Sequence, residues 1–268
     1  MVQRMHASGS RSAAFLAGAL ALGGAAWLVA KATGRRRPSP AAPPTAPPGR
    51  EPAVPLWLKL GYGTATPVIA AVYRRAYGPD NFLWLSDLAL ACTTLAVLRE
   101  DRLLASMPAV GVLPLELAWS VDFMAGGRLL DLAGYMFDRR LPRRLRALSL
   151  FHLALPPTLL WMLARFGYDR RALPLQTLLT WTALLLTYRL TAPEKNINWA
   201  FGLGSRPQHT LSPRLYLGLL MLTLPSLVFL PMHLLLRRAF GAPAADPAPG
   251  PLRMPDETAI DAPPDWQA

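Results

Sequence analysis

Five long apolar runs constrain the fold of this chain more than any other feature. The runs cover residues 80–98, 103–125, 145–164, 172–190 and 215–236. Each is hydrophobic around its whole helical circumference and is long enough, at about 1.5 Å per residue, to cross about 30 Å of hydrocarbon. A composition of 52% hydrophobic and 16% charged residues also argues against an ordinary soluble domain. We therefore predict an all-α fold, a polytopic transmembrane helical bundle.

The number of core helices depends on residues 56–73, a weaker apolar stretch. Lys59, two glycines and Pro67 interrupt it. We predict an interfacial or re-entrant helix there, with a full span as the alternative, so that residues 56–238 hold five to six core helices. Prolines inside the five runs predict kinks, because neighbouring helices in a bundle can satisfy the freed carbonyl groups. These residues are Pro108, Pro114, Pro156, Pro157, Pro225 and Pro231.

The two ends of the chain have a different character from the core. Within residues 1–34, the apolar stretch 13–30 is followed by more basic residues than precede it, which favours an uncleaved N-terminal anchor helix over a signal peptide. Residues 35–55 are rich in proline and predict an extended linker. Residues 239–268 predict a disordered acidic tail.

Loop charges predict the orientation of the bundle. If the N-terminal side of the 80–98 run is cytoplasmic, twelve basic residues lie inside and eight outside. The loop between residues 128 and 146 carries six arginines and is the strongest single determinant. Basic loops beside membrane spans set topology and meet anionic headgroups, so we expect membrane lipids as partners and no nucleic acid. The sequence predicts a multi-pass membrane protein and leaves protein partners open.

Ionisable groups inside membrane spans are costly and need either a partner or a function. This chain has Asp87, Glu116, Asp122 and His152 within its apolar runs. Because consecutive spans run antiparallel, the start of one lies at the depth of the end of its predecessor. Asp87, Asp122 and His152 are therefore expected on the same side of the membrane, with Glu116 near the middle. Gln176 and His233 are expected at the opposite side.

A hydroxyl or carboxylate near a histidine is the minimal set of groups for acyl transfer or proton relay. Ser86 is the candidate nucleophile and His152 the candidate base, with Asp87 or Asp122 as the carboxylate that orients the imidazole. The alternative is that these groups only join helices by hydrogen bonds. For Glu116 this structural role is favoured, since Ser120 lies four residues further along the same helix.

The loop 191–204 opens on the predicted side of His152 and contributes further polar residues. Asn196, Asn198 and Trp199 are candidates for binding a lipid headgroup, and capping of a helix is the alternative for the two asparagines. Neither a metal site nor a cofactor is expected. His152 has no second histidine at ligand spacing, and the single cysteine, Cys92, excludes a multi-cysteine zinc site.

Several blocks of the chain resemble a family of small bacterial integral-membrane proteins that are described only as membrane-associated. The blocks are YGPDNFLWLSDLAL (77–90), LELAWSVDF (115–123), GYMFD (134–138), LRALSLFHLALP (145–156), GYDRRALPLQTLLTW (167–181) and NINWAFG (196–202). The resemblance covers residues 77–238 and implies an architecture and a location in a bacterial inner membrane, without an activity.

A more distant likeness is to the helical membrane family that includes ether-phospholipid acyltransferases. The motifs of that family resemble four parts of this chain, in the same order. These parts are Leu85-Ser86-Asp87, His152, Asn198-Trp199 and Pro213 to Tyr216. Ser86 stands where that family has an acyl-accepting cysteine, and Phe151 stands where it has a serine before the histidine. The likeness implies an activity on lipid acyl chains.

Two hypotheses for the function follow from the sequence. The first is an enzyme that acts on lipid acyl chains or headgroups at the cytoplasmic leaflet, with Asn198 as a headgroup or oxyanion donor. The second is a non-enzymatic scaffold or a carrier of a small solute or protons, in which the same residues are structural or translocate charge.

Overall fold

The computed structural model describes residues 54–204 and 206–241. The predicted anchor and most of the predicted linker and tail lie outside the described residues. The described part of the chain is helical and contains no β-strand, which confirms the all-α fold class for these residues. The helices are α1 (Leu56–Tyr77), α2 (Leu85–Arg99), α3 (Arg102–Gly111), α4 (Leu113–Met124), α5 (Arg143–Leu148), α6 (Phe151–Phe166), α7 (Ala172–Leu190), α8 (Pro213–Thr223) and α9 (Leu230–Phe240).

Two helical stretches are long and apolar enough to cross a membrane. One joins α5 to α6 over residues 143–166, and the other joins α8 to α9 over residues 213–240 through a π-helical segment at Leu224–Phe229. In the second stretch only 28% of the most apolar 18 residues are buried. Its outward leucines would be unfavourable in water and are suited to hydrocarbon. The protein therefore has helices suited to a membrane.

A third crossing exists only if two bent helices are taken together. Helices α3 and α4 occupy the predicted run 103–125 but meet at an angle of 60°. The break falls at Val112, between Pro108 and Pro114. Because proline removes a backbone donor and clashes with the preceding turn, the kink predicted for this run has its expected cause.

The remaining runs form helices that do not meet the requirements for a membrane span on their own among the described residues. The run 80–98 begins with a 3-10 turn at Pro79–Leu83, and α2 has only 15 residues, or about 22 Å of rise. The run 172–190 coincides with α7, in which polar residues such as Gln176 and Thr180 are buried inside the protein. The stretch 56–73 lies in α1, a continuous helix of 22 residues that includes Pro67.

Helix α3 lies at the centre of the fold and packs against α2, α6, α7 and α9. Its close approach to α7 depends on Gly111, because a Cβ atom there would lie 2.5 Å from Cγ of the buried Gln176. Helix α4 packs against α6, and α1 packs against α2. Because α6 also packs against α2, the three helices that carry the candidate residues lie next to one another.

Candidate functional site

His152 and Glu116 form a buried acid–base pair between α6 and α4. Nδ1 of His152 lies 2.7 Å from Oε2 of Glu116, and their side chains are 13% and 3% exposed. A carboxylate at this distance fixes the tautomer of an imidazole and stabilises its protonated form. The second ring nitrogen, Nε2, makes no hydrogen bond within the described residues.

Aromatic rings hold the imidazole in place. The ring of His152 stacks on Trp119 at a centroid distance of 4.6 Å and on Phe151 at 4.1 Å. Trp119 in turn stacks on Phe123 at 5.3 Å, and Phe123 contacts Phe137 at 5.5 Å. The stack leaves His152 little rotational freedom and connects it to the loop that follows α4.

Asp87 lies on the other side of the pair, in the first turn of α2. Its Oδ2 accepts a hydrogen bond of 2.9 Å from the Asn81 side chain, and its carboxylate lies within electrostatic reach of both His152 and Glu116. This electrostatic interaction links α2 to the two helices that carry His152 and Glu116.

The carboxylate that orients His152 is Glu116. From the sequence we had expected Asp87 or Asp122 in this role. Ser120, the expected partner of Glu116, donates instead to the backbone carbonyl of Glu116 at 2.8 Å. The Glu116 carboxylate is thereby left to His152. This pairing corrects both the assignment of the orienting carboxylate and the reason given for a structural role of Glu116.

Asp122 organises the loop after α4 and takes no part in the pair. Its buried carboxylate accepts backbone N–H hydrogen bonds of 2.8 to 2.9 Å from four residues of this loop, which are Leu129, Leu130, Leu132 and Ala133. All four lone-pair positions of the carboxylate are used in this way. Asp122 is therefore a structural residue that shapes the loop over the site.

Ser86 lies next to Asp87 in α2 and is half-buried. Among the described residues no hydrogen bond joins its hydroxyl to His152 or to a carboxylate. Nδ1, the nitrogen of His152 that has a partner, faces Glu116. The described residues therefore do not form the serine–histidine contact of an activated nucleophile.

The loop 191–204 packs against the start of α2, through Asn198. The amide of Asn198 accepts from the Leu85 N–H at 2.9 Å and donates to the Leu83 carbonyl at 2.7 Å. Asn198 therefore satisfies a backbone donor at the start of α2, as in the capping role that the sequence left open as the alternative to a headgroup or oxyanion donor.

Asn196 closes the loop on itself by donating to the carbonyls of Gly202 and Gly204. Trp199 adopts a φ of 58°, which is unusual for a bulky residue and costs about 1–3 kcal/mol. Its carbonyl accepts a hydrogen bond from Tyr216 of α8 at 3.1 Å. Both residues therefore shape the loop, the first through its buried side-chain amide and the second through its backbone.

Sequence reasoning missed several residues around the pair. The Tyr73 hydroxyl lies 2.7 Å from Oγ of Ser149, and both side chains are buried. Trp119 stacks directly on the candidate base His152. Its buried indole N–H lies near Tyr135 but does not meet the geometry of a hydrogen bond with any described residue. The block LELAWSVDF, in which Trp119 follows Glu116 by three residues on one helix face, was the available signal.

A second polar cluster lies at the other end of α3, where His233 accepts or donates a hydrogen bond of 2.7 Å between Nδ1 and the Tyr168 hydroxyl. Beside it, Asp169 binds Arg171 at 2.9 Å and Arg102 at 3.5 Å. The hydrogen bond from Arg171 holds the pKa of the Asp169 carboxyl below its ordinary value. The cluster contains its own charge partners and is separate from His152.

The arrangement at His152 can accept and release a proton at Nε2. Glu116 would stabilise the imidazolium that forms, as the carboxylate does in a catalytic triad.

No group of three His, Cys, Asp or Glu side chains suited to a metal ion occurs among the described residues. Fold and site define a helical protein with two stretches long and apolar enough to cross a membrane and a buried histidine–carboxylate pair. Scans against protein-family models, curated proteins and solved structures find no match to the chain.

Proposed function

We propose that this chain is a multi-pass inner-membrane protein that acts on membrane lipid at the cytoplasmic leaflet by an acyl-transfer-like reaction. The observation that carries the proposal is the buried contact of 2.7 Å between His152 and Glu116, which leaves Nε2 free to act as a base. The apolar exterior supports a location in the bilayer, and the likeness to lipid-modifying membrane proteins supports a lipid substrate.

The geometry favours direct transfer over a covalent serine intermediate. His152 Nε2 would take the proton of a lipid hydroxyl as its oxygen attacks an acyl carbonyl. The same proton would then pass to the departing alkoxide, so the acyl group moves and no charge accumulates. Because no hydrogen bond joins Ser86 to His152, this route does not require Ser86.

Lipid analysis of a deletion strain tests the proposal. The strain is complemented with the wild type or with Glu116→Gln, His152→Ala or Ser86→Ala, and membrane levels of each variant are matched by immunoblot. We expect the wild type and Ser86→Ala to restore the lipid profile, whereas His152→Ala and Glu116→Gln do not. His233→Ala is the matched control, because it removes a buried histidine with one polar partner at the other end of the fold. Identical lipid profiles in the deletion strain and all complemented strains would overturn the proposal.

The multi-pass arrangement is tested independently by reporter fusions. The proposal requires residues 126–144 and 191–212 to lie on the same, cytoplasmic face. The contacts of Asn198 with the start of α2 favour this placement. Fusions that report opposite faces for the two segments would contradict both the topology and the position of the site.

One observation favours a carrier as the second candidate function. Helices α3 and α4 form a broken pair with the buried Gln176 beside the break and Glu116 one turn beyond it. Discontinuous helices with polar groups at the break are typical of ion and solute sites in transporters. Proton uptake by proteoliposomes after a pH jump, abolished by Glu116→Gln and retained in His233→Ala, would support the carrier over the enzyme.

A further inference from the structure

An ordered cap over the His152 site is formed by residues 124–150, which lead from the last residue of α4 to the start of α6. Asp122 fixes its first half through four backbone hydrogen bonds, and Gly127 lies so close to Gly134 that a Cβ atom would be 2.6 Å from the Gly134 Cα. Met136 and Ala133 pack on Trp119, whose ring covers His152. The cap is therefore held in a defined position relative to the site.

The cap has a strongly positive outer surface. Residues 126–146 contain six arginines and only two aspartates, Asp131 and Asp138. Arg146 is directed inward and donates to the Met136 carbonyl at 2.9 Å. The other five arginines are exposed and form no ion pair with any described residue, and they are Arg128, Arg139, Arg140, Arg143 and Arg144.

Large apolar side chains are exposed beside these arginines. Met124 is 75% exposed, Leu129 57%, Phe137 48% and Leu150 41%. Exposed aliphatic and aromatic groups next to free guanidinium groups are suited to the boundary between acyl chains and headgroups. A nucleic acid would satisfy the arginines but would leave Met124 and Leu129 in water, so the pattern favours a membrane surface.

We propose that the cap, residues 124–150, binds anionic phospholipid headgroups and thereby makes anionic phospholipid the substrate class of the His152 site. The assignment of a substrate class rests on the proposed function, whereas headgroup binding is argued from the residues of the cap alone. Guanidinium groups bind phosphate in a bidentate manner, and the apolar side chains enter the acyl region of the same leaflet. The aromatic stack from Phe137 to His152 connects the lipid-facing edge of the cap to the base.

The test compares two quadruple variants of the full chain, purified in mild detergent. The cap variant is R139Q/R140Q/R143Q/R144Q. The matched control is R165Q/R170Q/R237Q/R238Q, which removes four exposed arginines from the other end of the fold. Native mass spectrometry measures retention of phosphatidylglycerol relative to phosphatidylcholine. Each arginine near an anionic surface contributes about a fivefold preference. We expect the cap variant to lose at least about tenfold of the preference for phosphatidylglycerol and the control to change by less than about twofold.

A charge-preserving variant and a nucleic-acid probe complete the design. R139K/R140K/R143K/R144K keeps the charge and should keep most of the preference, which separates charge from misfolding. Equal preferences in the wild type, the cap variant and the control would overturn the inference. Binding of a 20-base-pair RNA duplex that is lost in the cap variant, without any lipid preference, would also overturn it.

Failure of this inference and failure of the proposed function give different results. Lipid retention requires no turnover and is measured equally well in His152→Ala. Cap-dependent retention in a protein that changes no lipid profile would leave headgroup binding intact and remove the reaction. A lipid reaction that depends on His152 but has no cap-dependent headgroup preference would leave the reaction intact and remove the inference.

Discussion

Replacement of Asp122 should loosen the cap without touching the His152 pair. Its buried carboxylate accepts two N–H hydrogen bonds on each oxygen. Asp122→Asn keeps one accepting oxygen and turns an NH2 group toward the other two donors. Each hydrogen bond to a charged group contributes about 1.5–3 kcal/mol, so the loss of two predicts about 3–6 kcal/mol of destabilisation of the cap.

Hydrogen exchange of the backbone amides in residues 129–133 measures this effect directly. A loss of about 3 kcal/mol corresponds to about 100-fold faster exchange of these amides when the cap opens locally. Asp131→Asn is the matched control, because Asp131 is exposed and its φ of 59° suits asparagine. Unchanged exchange in Asp122→Asn, or equal acceleration in the control, would refute the assignment of Asp122 as the residue that orders the cap.

Two further predictions concern packing and pH. Gly111→Ala should destabilise the protein by about 1–3 kcal/mol in a detergent unfolding assay, because the added methyl group meets buried Gln176, whereas Gly218→Ala, in open space, should not. Because Arg171 lowers the pKa of Asp169 below 3.8, their stabilisation is present above about pH 4 and is lost as the pH falls through the lowered pKa. The difference in melting temperature between wild type and Arg171→Gln should therefore be largest above about pH 4 and should shrink at lower pH. A difference that does not change with pH would contradict the ion pair between Arg171 and Asp169 as its cause.

The exposed apolar surface has a simple physical interpretation because it lies on stretches that are long and apolar enough to cross a membrane. Leucines of residues 213–240 point outward because the π-helical segment at Leu224–Phe229 and the ends of this stretch pack only one face against α3 and α7. In water such a face would promote aggregation, whereas in lipid it costs nothing. The same features that make the chain unsuitable as a soluble domain make it suitable for a bilayer.

The sequence alone predicts the helical class, because apolar side chains around a full helical circumference leave no polar face for water. It also predicts the kink in the run 103–125, since Pro108 and Pro114 act on the backbone locally. Both features depend on residues close together in the chain. The number of membrane spans does not follow from such local patterns. Within the run 80–98, for example, α2 begins only at Leu85, after a 3-10 turn.

The partner of His152 was decided by the tertiary structure. Sequence gives depth along straight antiparallel helices and favoured Asp87 or Asp122. Because α4 is bent by 60° from α3, the position of a residue along α4 does not give its depth in the bundle. The direction in which each side chain points from its helix is set by packing. Glu116 therefore meets His152, while Asp122 turns to the backbone of the cap. Local residue types fixed which groups carry charge, and only the packing of bent helices determined which of them meet.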